Sequence, residues 1–179
     1  MLKKLLIVLL VLTAIGAIIV ARQPDDFRIT RSATIGTPAD RLFSEVNDFH
    51  KWDAWSPWAK LDPQVKNAFN GPESGVGAFF EWSGDSQVGQ GNMTIVESRP
   101  AEYIKIRLEF IRPFSAVNTA EFTFKPVGDQ TQITWSMFGT NNFVGKAIGL
   151  VMDCDKMVGD QFEKGLENLR KVASANPAA

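Results

Sequence analysis

Thr131-Gln-Ile-Thr-Trp-Ser-Met-Phe-Gly139 reads at one period, and the stretch that follows it reads at another. Thr131, Ile133, Trp135 and Met137 alternate with Gln132, Thr134 and Ser136. Side chains on a strand point to opposite faces in turn, so the first four are expected on one inward face. After Gly139 the apolar spacing becomes three-four: Phe143, Ala147, Leu150, Val151, Cys154, Met157, Val158, Phe162, Leu166, Leu169 and Val172. That spacing predicts one long amphipathic C-terminal helix, bent near Gly159, with Asp153, Lys156, Asp160, Lys164, Glu167 and Lys171 on its wet side. A helix with one apolar stripe, arriving directly after a strand, needs a sheet for the stripe to cover.

Upstream, the sheet is legible strand by strand. Ala120, Phe122 and Phe124 share one face of the segment from Ala116 to Lys125, and Gly128-Asp129 supplies the reversal into the last strand. Ile104, Ile106, Leu108 and Phe110 alternate with Lys105, Arg107 and Glu109. Phe79 to Gly84 and Val88 to Ser98 predict two more strands, and Phe27, Ile29, Ala33 and Ile35 predict the first. Strands joined by short turns imply antiparallel pairing. Between the first strand and the rest, Thr37-Pro38-Ala39-Asp40 predicts a helix start, with Thr37 as N-cap and Pro38 at the first helical position. Trp52, Trp55 and Trp58 follow at intervals of three, and Pro57 breaks the run. Those three indoles suit a lid, a membrane-facing surface or a packed cap on the sheet's open end.

The N-terminus has a different character. Lys3 and Lys4 precede Leu5–Ala21, which holds no charge and only Thr13 as a polar side chain. As a helix the segment would span roughly 25 Å, against a hydrocarbon core of about 30 Å. A cleaved signal peptide is the alternative, but the apolar run is long for one and Ile19-Val20-Ala21 is a poor cleavage site. A retained single-pass anchor over residues 1–23 is therefore expected. The leading lysines place the N-terminus in the cytoplasm and the rest on the periplasmic or extracellular side. Residues 24–174 are expected to form one domain, with 175–179 a disordered tail.

Composition narrows the function. Residues 1–23 hold three of the 19 cations and none of the 20 acids, which leaves a net charge of −4 on the remainder. An acidic domain is a poor partner for nucleic acid. Cys154 is the one cysteine and His50 the one histidine, so no internal disulfide forms, and no cluster stands at metal-ligand spacing. No metal or cofactor is expected.

Particular segments carry a resemblance. They are Asp48 to Trp58, Gly75-Val-Gly77 to Trp82-Ser-Gly-Asp85, Gly89-x-Gly91-x-Met93-Thr94, Met152 to Gly159, and Phe162-Glu-Lys-Gly-Leu166. With the order of elements, they resemble the helix-grip (Bet v 1/START-like, SRPBCC) superfamily, and within it the bacterial polyketide cyclase/dehydrase and lipid transport group. The resemblance covers about residues 27 to 172. It implies an α+β fold in which a curved antiparallel sheet of about seven strands wraps a long C-terminal helix. It implies a cavity and no one reaction, because fold does not fix chemistry.

The residues supply no catalytic constellation. Glu81 and Glu121 alternate away from the apolar side chains beside them, and Asp85 and Glu97 lie at strand margins, so all four are expected in solvent. Gly89 and Gly91 have no following helix to hold a phosphate, and read as a turn or bulge. Phe80, Trp82, Met93, Phe110, Phe122, Trp135 and Met157 are the expected lining of an apolar cavity between sheet and helix. The leading expectation is a membrane-tethered domain that binds or carries an apolar or amphipathic small molecule, with a lipid among the candidates. A cyclase or dehydratase enzyme and a cell-envelope interaction module with a filled core are the alternatives.

Overall fold

The computed structural model describes residues 1–175. In chain order it contains α1 (Leu2–Ala21), β1 (Asp26–Ile35), α2 (Ala39–Val46), a 3-10 turn (Phe49–Lys51) and α3 (Trp52–Trp55). Then come β2 (Lys66–Asn70), β3 (Phe79–Ser83), β4 (Gln90–Arg99), β5 (Tyr103–Arg112), β6 (Ala116–Val127), β7 (Gln130–Thr140), α4 (Phe143–Val151) and α5 (Cys154–Ala175). Apart from Ala175, which ends α5, the expected tail over 175–179 lies outside the described residues.

All seven strands form one antiparallel sheet in the order β1-β7-β6-β5-β4-β3-β2. Strands β2 to β7 follow one another as hairpins, and β1 returns to pair with β7. Alternation sets the inner face: Ile29 lies opposite Met137, Ala33 opposite Ile133, and Phe122 opposite Trp135. The fold is α+β, a curved sheet against helices, as the periods in the sequence predict.

Two helix boundaries differ from expectation. Thr37 does not cap α2. Pro38 is the N-cap, and Thr37 is buried with its carbonyl accepting from Thr131 Oγ1 at 2.8 Å. A buried threonine opposite a strand end does more by closing the backbone there than by capping an eight-residue helix. The long C-terminal helix is two helices. Met152 is extended, and Asp153 Oδ1 accepts from the Lys156 N–H at 2.9 Å, so Asp153 caps the start of α5 where it was expected on a continuous wet face. At Gly159, the expected bend, α5 runs on unbroken.

Arg31 explains that glycine. It lies on the inner face of edge strand β1 and reaches α5, with Nη2 3.0 Å from Asp155 Oδ2 and Nε 3.0 Å from Glu163 Oε1. A Cβ on Gly159 would run into the guanidinium. The hydrogen bond from Arg31 holds the Asp155 carboxyl below the ordinary aspartate range.

Helix α1 is long and apolar enough to cross a membrane, and none of its residues is buried. It starts three residues before the expected Leu5 and takes in Lys3 and Lys4. Its C-terminal end abuts α4. The linker is tied down there: the Asn141 N–H donates to the Asp25 carbonyl at 2.6 Å, and Lys146 pairs with Asp25.

A candidate ligand-binding face

The inner face of the sheet divides into two halves. On β6 and β7 it is filled. Trp135 lies between Phe122, centroid 4.8 Å away, and Phe162 of α5, at 4.1 Å and nearly parallel. Trp55 and Trp52 meet this stack edge-on. Trp52 Nε1 donates to the Val46 carbonyl and Trp55 Nε1 to the Glu45 carbonyl, so each indole enters the core with its polar atom satisfied. The tryptophan run is thus a packed cap. Gly165 permits the closeness of α5, since a Cβ there would sit 2.8 Å from Trp135 Cζ3.

Toward β2 and β3, and at Phe110 near the end of β5, the same face is only partly covered, whereas Met93 and Ile95 on β4 and Ile104, Ile106 and Leu108 on β5 are buried. Phe80 pairs with buried Met93, and Trp82 with Gly91, so both aromatics point inward and Glu81 points to solvent. Trp82 Nε1 donates to the Val88 carbonyl at 3.2 Å. Its indole lies against Gly91, where a Cβ would come within 2.6 Å of the ring. The rings run in a row: Phe69 to Phe80 at 5.1 Å, Phe80 to Trp82 at 5.9 Å, and Trp82 to Phe110 at 6.1 Å. Phe80, Trp82 and Phe110 are half-buried, and Phe69 is 39% exposed.

Of the seven expected lining residues, the structure thus brings Phe80, Trp82, Met93 and Phe110 together along one half. It places Phe122 and Trp135 in the solid half, where the space between sheet and α5 is occupied by rings. Met157 is elsewhere, 51% exposed. It stands five residues before Phe162, which is about 140° around a helix of roughly 100° per residue. The stripe that joined it to Phe143 and Leu150 assumed one continuous helix, and the break at Asp153 removes that assumption. Phe69 was missed. Lys66-Asn-Ala-Phe-Asn70 is an edge strand with one large apolar residue, too weak a pattern to assign.

Polar groups are few. His50 Nδ1 lies 2.9 Å from Asp48 Oδ1, and its ring stacks on Phe69 at 4.2 Å. Tyr103 donates to Glu121 at 2.6 Å on the outer face, and burial first, then Glu121, pushes its hydroxyl above the ordinary tyrosine range. Trp135 Nε1 and Gln161 Oε1 are buried with no hydrogen-bond partner among the described residues. No group of three or more His, Cys, Asp or Glu that could hold a metal occurs among the described residues. A depression of about 780 Å3 lies on the outer face, lined by Arg28, Arg107, Thr119 and Phe138 among others. It is wide open, and Arg28 and Arg107 are already engaged, with Phe138 and with Glu109. The aromatic row on the inner face is the better candidate, because it extends the core outward with its rings only partly buried.

Comparison with known proteins agrees with this architecture. No curated protein matches the sequence. Solved structures do. Protein MLL2253 from Mesorhizobium loti has a TM-score of 0.63 at 14% identity, covering 85% of this chain and 100% of its own. Protein CV1439 from Chromobacterium violaceum has a TM-score of 0.59 at 14% identity, covering 87% and 100%. Ara h 8.0201 has a TM-score of 0.58 at 13% identity, covering 84% and 99%. At such identities these likenesses establish the fold. The sequence also matches the family described as polyketide cyclase / dehydrase and lipid transport over residues 26–174, nearly the whole of the chain after α1. The chain belongs to the polyketide cyclase / dehydrase and lipid transport family.

Proposed function

We propose that this protein is a membrane-tethered binding or carrier domain whose apolar or amphipathic ligand lies along the row Phe69–Phe80–Trp82–Phe110. One observation carries the reading: the rings of Phe80, Trp82 and Phe110 are only partly buried and Phe69 is exposed, while Phe122 and Trp135 on β6 and β7 are closed off. Burying ring surface against a ligand gains about 25 cal/mol per Å². Binding by burial needs no reacting group, which suits a face with so few. Helix α1, if retained as an anchor, keeps this face within a short linker of the bilayer, which favours a lipid or another membrane-soluble molecule. The lysines before α1 favour a periplasmic or extracellular domain.

The enzyme reading keeps one specific observation. The Asp48–His50 pair sits at the rim of the row, and an aspartate at Nδ1 would leave Nε2 free as a base. Asp48 also caps the 3-10 turn through the His50 N–H, at 2.9 Å, which explains the pair without chemistry. The filled-core module survives only if the row binds nothing.

Native mass spectrometry of the full chain, released from mild detergent, tests the reading. The expected result is a co-purified apolar molecule that is lost from Trp82→Ala. A bare wild-type chain would favour the filled-core module. Resistance of the wild-type chain to alkaline carbonate extraction tests the tether separately.

A further inference from the structure

Helix α4 leaves most of its large apolar side chains in solvent. At about 100° per residue, Phe143, Val144, Ala147, Leu150 and Val151 fall within an arc of about 120°. Gly145 and the exposed Gly149 lie opposite, while Lys146 and Ile148 flank the arc and are half-buried. In a soluble domain the apolar arc would face the core. Here its large side chains are exposed: Phe143 is 54% exposed, Val144 46%, Leu150 44% and Val151 83%, with only the small Ala147 half-buried, and no residue of α4 is fully buried. Lys146 is turned inward instead, to the ion pair with Asp25. The exposed arc therefore carries no charge.

The position of α4 indicates what covers it. The C-terminal end of α1 abuts α4, and the Asp25 contacts fix the linker to the α4 base. The sheet end that holds Asp26 and Thr140 also holds the β5–β6 hairpin, with Ile111 and Phe114 exposed. Met152 follows directly and is exposed too. So exposed apolar side chains gather at the end of the domain where the apolar span of α1 stops.

We propose that α4 seats its apolar arc, with Phe114 beside it, in the headgroup–acyl boundary of the bilayer that α1 crosses, and so lays the domain on the lipid surface. The proposal rests on the tethered reading of α1. A short helix binds membranes weakly alone, but one held at the surface by a spanning segment needs little affinity of its own. Attraction to anionic lipid does not contribute, because the domain is net acidic and the arc is uncharged. Insertion is thus insensitive to salt. It also turns the Phe110 end of the aromatic row toward the membrane, since Phe110 lies opposite Ala116 at that same sheet end.

The test uses the full chain in phosphatidylcholine vesicles. Cys154→Ser removes the native thiol, and a polarity-sensitive fluorophore is placed at Val151→Cys or, as the far-end control, at Asp129→Cys. Both sites are on the surface, so the labels do not disturb the core. The expected result is a blue-shifted label at 151, quenched several-fold by spin-labelled lipid and unchanged by added salt, with the label at 129 unquenched. A carbonate-resistant chain whose 151 label stays in water overturns the proposal and leaves the anchor standing. A carbonate-extractable chain whose 151 label is still quenched overturns the anchor and supports the α4 surface. A blue shift without lipid quenching, with Val151→Cys pairs that cross-link, overturns the proposal in favour of a second copy on the arc.

Discussion

Two halves of one sheet face carry similar side chains and have different fates. Phe122 and Trp135, on β6 and β7, are almost wholly buried, while Phe80 and Trp82, on β3, are only partly buried. Strand parity treats the four alike. The difference lies in what crosses above them. Helices α3 and α5 close over β6 and β7, and Gly165 and the Trp52/Trp55 cap complete the seal. The row on β2, β3 and β5 has less cover: Phe49 reaches Phe80, at 6.1 Å between centroids, and the row's rings stay only partly buried or exposed. Alternation decides which face a side chain joins, and helix placement decides whether that face is core or site.

The largest expected effect is in the filled half. Trp135→Ala removes the centre of the ring stack and should cost about 3–5 kcal/mol in urea unfolding. A loss no greater than that of Trp82→Ala would break the comparison. Gly91→Ala comes next. Its new methyl meets the Trp82 ring and the Glu109 carbonyl, so overpacking of about 1–3 kcal/mol is expected, with a shifted Trp82 signal in near-ultraviolet circular dichroism. An unchanged spectrum would show that the indole does not lie on Gly91. Trp82→Ala itself should cost less than Trp135→Ala, about 1–2 kcal/mol, because its ring is only partly buried, and should reduce ligand occupancy as well.

The smallest effect concerns how α5 is held over the filled half. Asp155 has its carboxyl depressed by Arg31, so the clamp contributes stability above the ordinary aspartate range and loses it as pH falls through the lowered value. Unfolding midpoints of wild type and Arg31→Ala should differ near neutrality and converge in acid. A constant gap at all pH values would show that Arg31 acts by packing alone.

Much of this fold was legible. The change of period after Gly139, the paired strands from Tyr103 onward and the Gly128-Asp129 turn fix the architecture through spacing, which is a local property. The helix break was less visible, because Asp153 suits a wet helix face and an N-cap equally well. Gly159 read as a bend because its reason, Arg31, is 128 positions away. The candidate site was legible by parity at Phe80, Trp82, Met93 and Phe110. It was not separable from core at Phe122 and Trp135, since cover over a strand is a tertiary fact. The exposure of α4 was hidden by the same spacing that predicts an inward stripe: an apolar arc has the same period whether protein or lipid covers it.

The most direct test of the half-covered face as a ligand site is photolabelling. The full chain is placed in vesicles containing a diazirine-bearing fatty acid, irradiated, digested and mapped by mass spectrometry. Labels are predicted on β3 to β5 at Phe80, Trp82, Met93 or Phe110, with none on Phe122 or Trp135. Labels confined to α1 and α4, with the aromatic row untouched, would contradict it.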